Sequence, residues 1–276
     1  LEGVIDGLNL AAHPALSLRN IYDERSSPNS TSMPPLALLA CLLLLTCALA
    51  QAEPGPRLAT LEYPPYASQQ LDDGGSIVAL TRRAFALRGY AAHIDFLPWA
   101  RVRAELRNGT YQGALALWPR EIGEEGLIAS RPLFYSELGL FVRQGHELRF
   151  QRLQQLAGQK LGIVRGYGYP QRILDAGLAL EEAVDDISNL RKLHAGRFDL
   201  VLLERRVGEY LIAGDPQLHG QLRWHGRALE RIPLLVGFVP AQPGQTDWSA
   251  IFEQGLRDLH ASGEYMQILR RHSANP

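Results

Sequence analysis

The sequence predicts an α/β protein of two lobes, each a mixed sheet flanked by helices, with two extended strands crossing between them. Three observations carry that expectation. Short β-type runs alternate with amphipathic helical runs, the alternation restarts once near the middle of the chain, and two extended apolar passages, residues 134–142 and 233–239, lie between and after the two series.

Composition narrows the classes. The 276 residues are 46% hydrophobic and 21% charged, with 28 Lys+Arg against 29 Asp+Glu, which is ordinary for a globular chain. Near-neutral charge offers no electrostatic footprint for nucleic acid or an anionic membrane, and two Cys cannot build a disulfide framework. Neither a nucleic-acid partner nor a cofactor is expected.

The N-terminal part reads differently from the rest. Residues 36–50 form an unbroken apolar run that ends in Ala50-Gln51-Ala52. Such a run is short of the ~20 residues that span a bilayer, and the small-residue triplet matches an export cleavage site. Residues 33–52 are therefore expected to be a signal peptide cut after Ala52, which directs the product to the periplasm. Met33 is followed by Pro34 and Pro35 and not by Lys or Arg, the nearest upstream basic residues being Arg25 and Arg19. The alternatives are a buried core helix or a membrane anchor, and for Cys47 an acylation site. Residues 1–32 lack a starting Met and apolar periodicity, and read as a non-native or mis-assigned extension ahead of Met33. Removing the first 52 of 276 residues leaves 224, with 26 basic and 25 acidic side chains and no cysteine, so thiol catalysis and zinc–thiolate binding are excluded from the body.

Within the body, 57–61 (RLATL) is a strand that runs into Glu62-Tyr63-Pro64-Pro65-Tyr66, where the prolines end ladder pairing. Ile77, Leu80, Ala84 and Leu87 have helical spacing, and Gly89 stops that helix. A strand at 92–97, a helix at 100–107 closed by Asn108-Gly109, and a strand at 113–117 follow. After the extended passage at 134–142 come a small helix at 153–156, a strand at 160–164, a helix at 170–177 and a polar stretch through Asp185 and Asp186. A helix at 187–195, a strand at 200–203 and a helix at 207–213 complete the second series. The second apolar passage at 233–239 then leads to a helix pair over 248–269, split at Gly263. The expected division is 53–140 for the first lobe, 141–230 for the second, and 231–276 returning to the first.

Six segments in this order resemble a known family. They are E-Y-P-P-Y from Glu62, the apolar helix ending at Gly89, F-L-P-W-A-R from Phe96, N-G-T-Y-Q-G from Asn108, S-R-P-L from Ser130 and A-G-R-F-D-L-V-L-L-E from Ala195. Together they are similar to the extracytoplasmic solute-binding proteins of family 3, the polar-amino-acid receptors of ABC importers, over residues 57–270. The resemblance implies a type II periplasmic-binding-protein fold whose lobes close on a small solute. It further implies a membrane permease as partner and a monomeric receptor.

Candidate ligand contacts follow from position. Tyr63 and Tyr66 come just after the first strand and Trp118 just after the third, at strand carboxyl ends, where open α/β sheets bind ligands. Aromatic faces there suit a solute side chain or a cation, although each Tyr also fits as loop packing. The resemblance implies an Arg after the third strand that pairs with a ligand α-carboxylate. Arg120 is the candidate, although the interval to Ser130 is longer than the family's and Gly123 falls at the counted position; the alternative is a surface Arg paired with Glu121, Glu124 or Glu125. Arg165, Tyr167 and Tyr169 lie on a strand-to-helix loop, R-G-Y-G-Y-P, able to present N–H groups to an anion. The resembling receptors place Ser or Thr in that loop, so its tyrosines imply a more aromatic lining. Glu204 ends a strand where the resemblance implies an acid for a ligand amine; its alternative is a surface pair with Arg205 or Arg206. Arg101 and Arg103 read as structural or rim residues.

No H-E-x-x-H, G-x-S-x-G or G-K-[ST] motif is present, and no metal or catalytic residue is expected. The expected function is capture of a small polar, amino-acid-like solute for an ABC importer. The alternatives are a sensor without transport, or an enzyme of the cyclohexadienyl dehydratase type on the same fold with Glu204 as general acid.

Overall fold

The computed structural model describes residues 53–273. These lie within one compact unit, 51–276. The signal peptide and extension expected over residues 1–52 lie outside the described residues.

The first series is β1 (Glu53–Thr60), α1 (Ser76–Ala86), β2 (Tyr90–Phe96), α2 (Trp99–Arg107), β3 (Gly113–Leu117), α3 (Pro119–Glu124) and β4 (Ile128–Ala129). β5 (Phe134–Arg143) leads into β6 (Lys160–Val164), α4 (Gln171–Leu174), β7 (Ala179–Ala183), α5 (Asp186–His194), β8 (Leu200–Glu204) and α6 (Arg205–Gly214). β9 (Leu222–Phe238), α7 (Trp248–Ala261) and α8 (Glu264–Ser273) return the chain to the first series.

Strand order is β2-β1-β3-β9-β5-β8-β6-β7, with β4 also on β9. β1 is parallel to β2 and β3, and β6 is parallel to β7 and β8. β9 joins the two sets: Leu235–Phe238 pairs antiparallel with β3, while the stretch from Leu222 to Leu234 pairs antiparallel with β5. β5 and β9 are thus the two long strands shared between lobes, and the sheet is mixed.

Local sequence explains the packing that holds the first lobe. α1 buries Ile77, Leu80, Ala84 and Phe85 on one face. Gly255 of α7 lets the two helices touch, since a Cβ there would collide with the Ala84 carbonyl oxygen. Phe85, Phe238 and Phe252 interlock with ring centroids 5.2–6.2 Å apart, tying α1, β9 and α7 into one core.

Four elements differ from the sequence expectation. The polar stretch before Asp185 is partly a strand, β7, because a sheet edge tolerates exposed Glu181 and Glu182, which pair with Lys160 and Arg165. β9 starts at Leu222 and not at 233: the stretch 222–232, with three Arg, His225 and Gly226, is largely half-exposed and lacks the apolar alternation that marks a strand. The expected helix at 170–177 shrinks to Gln171–Leu174, and Gly177 at φ 81° turns the chain into β7. β1 extends back to Glu53 through Pro54 and Pro56, tolerated at a register shift.

Candidate functional site

The carboxyl ends of both parallel sets face a common cleft, which is where residue placement concentrates the unusual chemistry. From the first lobe come Tyr63 and Tyr66 after β1, Trp99 at the start of α2, and Trp118 and Glu121 after β3. From the second come Tyr167 to Tyr169 after β6, Asp186 after β7 and Glu204 at the end of β8. The last turn of β3 is bulged: Leu115 and Leu117 pair with Val236 and Leu235, and Ala116 between them is held at φ 62°. That strained residue lines the cavity.

The aromatic rings interlock across the cleft. Tyr167 of the second lobe stands edge-on to Tyr63, Trp99 and Trp118 of the first, with centroids 6.3, 6.2 and 5.8 Å away. Tyr63 stacks on Tyr66 at 5.9 Å, and Tyr169 lies 5.6 Å from Trp118. The Trp118 indole N–H donates to Ser136 Oγ on β5 at 3.3 Å, which fixes the ring. Between the rings remains a cavity of only about 10 Å³, about the space of one water molecule, so a solute can enter only when the lobes part. The lobes are closed upon each other.

Three carboxyls are buried in this region. Glu121, 3% exposed, accepts 2.8 Å bonds from the backbone N–H groups of Trp118 and of Gly168, so it links the lobes. Asp186 Oδ2 accepts from the Tyr167 hydroxyl at 2.9 Å. Glu204 accepts from the Tyr66 hydroxyl at 3.1 Å and, capping α6, from the Val207 N–H at 2.7 Å. Burial pushes each carboxyl up to about 7, against the pull of these donors. Asp186 is raised further by Asp185 and Glu204. Among the described residues, the buried polar atoms that make no hydrogen bond include the Tyr63 hydroxyl, Asp186 Oδ1 and Thr60 Oγ1. Burial, then Glu204 and Asp186, raise the Tyr63 hydroxyl as well, which puts that unpaired group in the field of both acids.

The remaining candidates fall at the rim. Arg120 is partly exposed and binds Glu124 at 2.7 Å, the Tyr169 carbonyl at 3.1 Å and Gln171 at 2.9 Å, bridging the lobes along the outer edge. Arg165 is solvent-facing and paired with Glu182 at 2.7 Å. Arg103 and the Trp99 indole both donate to the Gly166 carbonyl, at 3.0 and 2.8 Å, forming a second latch. Arg101 is exposed beside Glu105. In the R-G-Y-G-Y-P loop, the N–H groups of Arg165, Tyr167, Gly168 and Tyr169 are engaged by protein acceptors. The Tyr169 hydroxyl accepts from the Val164 N–H at 3.0 Å.

Sequence reasoning missed Glu121, Asp186 and Trp99 as cleft residues. Each stands in the first turn of a helix after a strand; for Glu121 and Asp186 that is a place where acids are common for capping reasons alone. Position relative to the strand ends was the available signal.

No protein-family model matches the chain, and no curated protein matches it. Solved structures do. The GluR0 ligand-binding core from Nostoc punctiforme, in complex with L-glutamate, is 17% identical, covering 80% of this chain and 100% of its own at TM-score 0.67. An ancestral arginine-binding protein bound to arginine is 17% identical, covering 80% and 98% at TM-score 0.67. A histidine kinase sensor domain with similarity to periplasmic binding proteins is 20% identical, covering 79% and 95% at TM-score 0.67.

Proposed function

We propose that this chain, whose fold is that of the type II periplasmic binding proteins, is a periplasmic receptor that captures a small polar solute in the interlobe cleft and delivers it to the permease of an ABC importer. The observation that carries the reading is Tyr167 of one lobe seated among Tyr63, Trp99 and Trp118 of the other. A cleft with walls from both lobes, at strand carboxyl ends, couples solute capture to closure. In this reading Tyr63, Tyr66, Trp118, Tyr167, Tyr169 and Glu204 contact the solute, while Arg120 and Arg165 act at the rim. Export with cleavage after Ala52 belongs to the same proposal, and among the described residues no helix is long and apolar enough to cross a membrane.

Uptake measurement tests it. A cell lacking the chain should lose high-affinity uptake of the solute that raises the protein's melting temperature, and the Glu204→Gln chain should fail to restore it. Unchanged uptake would move the protein to the sensory reading, in which closure signals to a membrane partner. One observation favours an enzymatic reading: three buried carboxyls held near 7 are poised as general acids. Conversion of a bound solute with time, lost in Glu204→Gln, would establish it.

A further inference from the structure

The polar atoms that face the cleft are one-sided in charge. Glu121, Asp186 and Glu204 are buried, and the guanidinium groups near Glu121 are engaged by other partners. Arg103 is bound to Glu124, Glu125 and the Gly166 carbonyl, and Arg120 to Glu124, the Tyr169 carbonyl and Gln171. Arg206 is the exception: exposed at the start of α6, it reaches Tyr66 and lines a second groove together with Tyr66 and Glu204, so Glu204 has a cation on that side.

Backbone donors for a ligand carboxylate are occupied as well. The Trp118 and Gly168 N–H groups, one from each lobe, both end on Glu121. A carboxylate belonging to the protein therefore already makes the bridging contacts that a solute carboxylate would need. The Tyr66 and Tyr167 hydroxyls donate to Glu204 and Asp186. Among the described residues, what stays unpaired includes an acceptor, Asp186 Oδ1, the Asn189 amide, and the hydroxyls of Thr60 and Tyr63, the latter in the field of both acids, all buried to within 3% of full exclusion. The rings of Tyr66 and Tyr167 flank Tyr63, and the Tyr167 hydroxyl reaches Asp186. A cation enclosed by rings and met by an unpaired carboxylate oxygen is attracted by both, whereas an anion there meets like charge in a dry site.

Resting on the receptor reading above, we infer that the solute is a small organic cation without a carboxylate, an amine or quaternary ammonium, held by Asp186 and Glu204 against the rings of Tyr63, Trp118 and Tyr167. The amino-acid-like solute implied by the family resemblance is thereby replaced by its cationic portion alone.

Calorimetric titration of the full chain with putrescine, choline, L-arginine and L-glutamate tests this, with tryptophan fluorescence recorded on the same samples. Putrescine or choline is expected to bind, and both amino acids to bind at least about tenfold more weakly or not at all. Glu204→Gln and Asp186→Asn each keep the shape and an acceptor oxygen. Each should weaken the cation at least about 30-fold, the loss typical of removing one partner of a buried charged pair, with melting temperature retained in Glu204→Gln and raised in Asp186→Asn. L-arginine or L-glutamate binding as tightly as the amines overturns the cation assignment and leaves the receptor standing. Silence toward all four, in heat and in fluorescence, overturns the cation assignment and leaves the receptor reading to the uptake measurement.

Discussion

Asp186→Asn isolates the cost of closing the cleft on an unpaired acid. Burial, reinforced by Asp185 and Glu204, holds the Asp186 carboxyl at about 7, while its Oδ1 makes no hydrogen bond. The unfolded chain gives up this proton near pH 4, so the folded state holds the extra proton between about pH 4 and 7 and loses stability as pH rises through that window. The shift corresponds to a penalty of at most about 4 kcal/mol at pH 8 and about 2 kcal/mol at pH 5, lobe opening providing partial relief by letting water in. The amide introduced by Asp186→Asn would still accept from the Tyr167 hydroxyl and carries no charge, so this penalty vanishes at both pH values. Ligand-free variant and parent should therefore differ more at pH 8 than at pH 5, by about 2 kcal/mol, or roughly 4–8 °C for a body of this size. Scanning calorimetry at the two pH values reads the difference. A stability gap that is the same at pH 5 and pH 8, or a variant less stable than the parent at pH 8, would refute the reasoning. A more stable variant that has lost solute binding is the behaviour expected of a group kept for function.

Three further perturbations probe the closure. In Gly168→Ala the new Cβ would stand 2.6 Å from Glu121 Cγ, so the lobes cannot meet fully; solute affinity should drop about tenfold or more by titration, with little change in melting temperature. Ala116→Gly releases a residue held at φ 62° and should raise stability by about 1 kcal/mol in urea unfolding, the usual cost of a left-handed non-glycine residue; a loss of stability would show that the Ala116 methyl packing outweighs the strain. Trp118, packed against Tyr167 and Tyr169, should report solute entry by fluorescence, and a Trp118→Phe variant that keeps the full signal would place the reporter elsewhere.

Much of the architecture is legible in the sequence because periodicity and punctuation agree. Ile77, Leu80 and Ala84 at helical spacing followed by Gly89 describe α1, and the buried run Leu200–Glu204 is apolar until its last residue. Edge and hinge strands are harder to read. β7 keeps its backbone pairing while exposing Glu182, and the first half of β9 is paired on β5 with polar side chains half in solvent, so neither has an apolar face to announce it. The aromatic half of the cleft follows from strand ends and prolines around Tyr63 and Tyr66. Its acidic half does not, since Glu121 and Asp186 look like ordinary residues of a helix first turn. Only the three-dimensional approach of Gly168 to Glu121, and of Tyr167 to Asp186, turns them into buried groups.

The claim that the two lobes close on a solute is tested most directly by a distance between them. Residues 53–276 contain no cysteine, so with Cys41 and Cys47 changed to Ser, spin labels at Asn108→Cys of the first lobe and Val184→Cys of the second would be the only pair. Without solute at pH 8, where the buried acids oppose closure, pulsed electron resonance should record a population at long distance, and a bound amine should convert it to one short, narrow distance. A distribution that stays the same with and without a solute proven to bind would contradict the account.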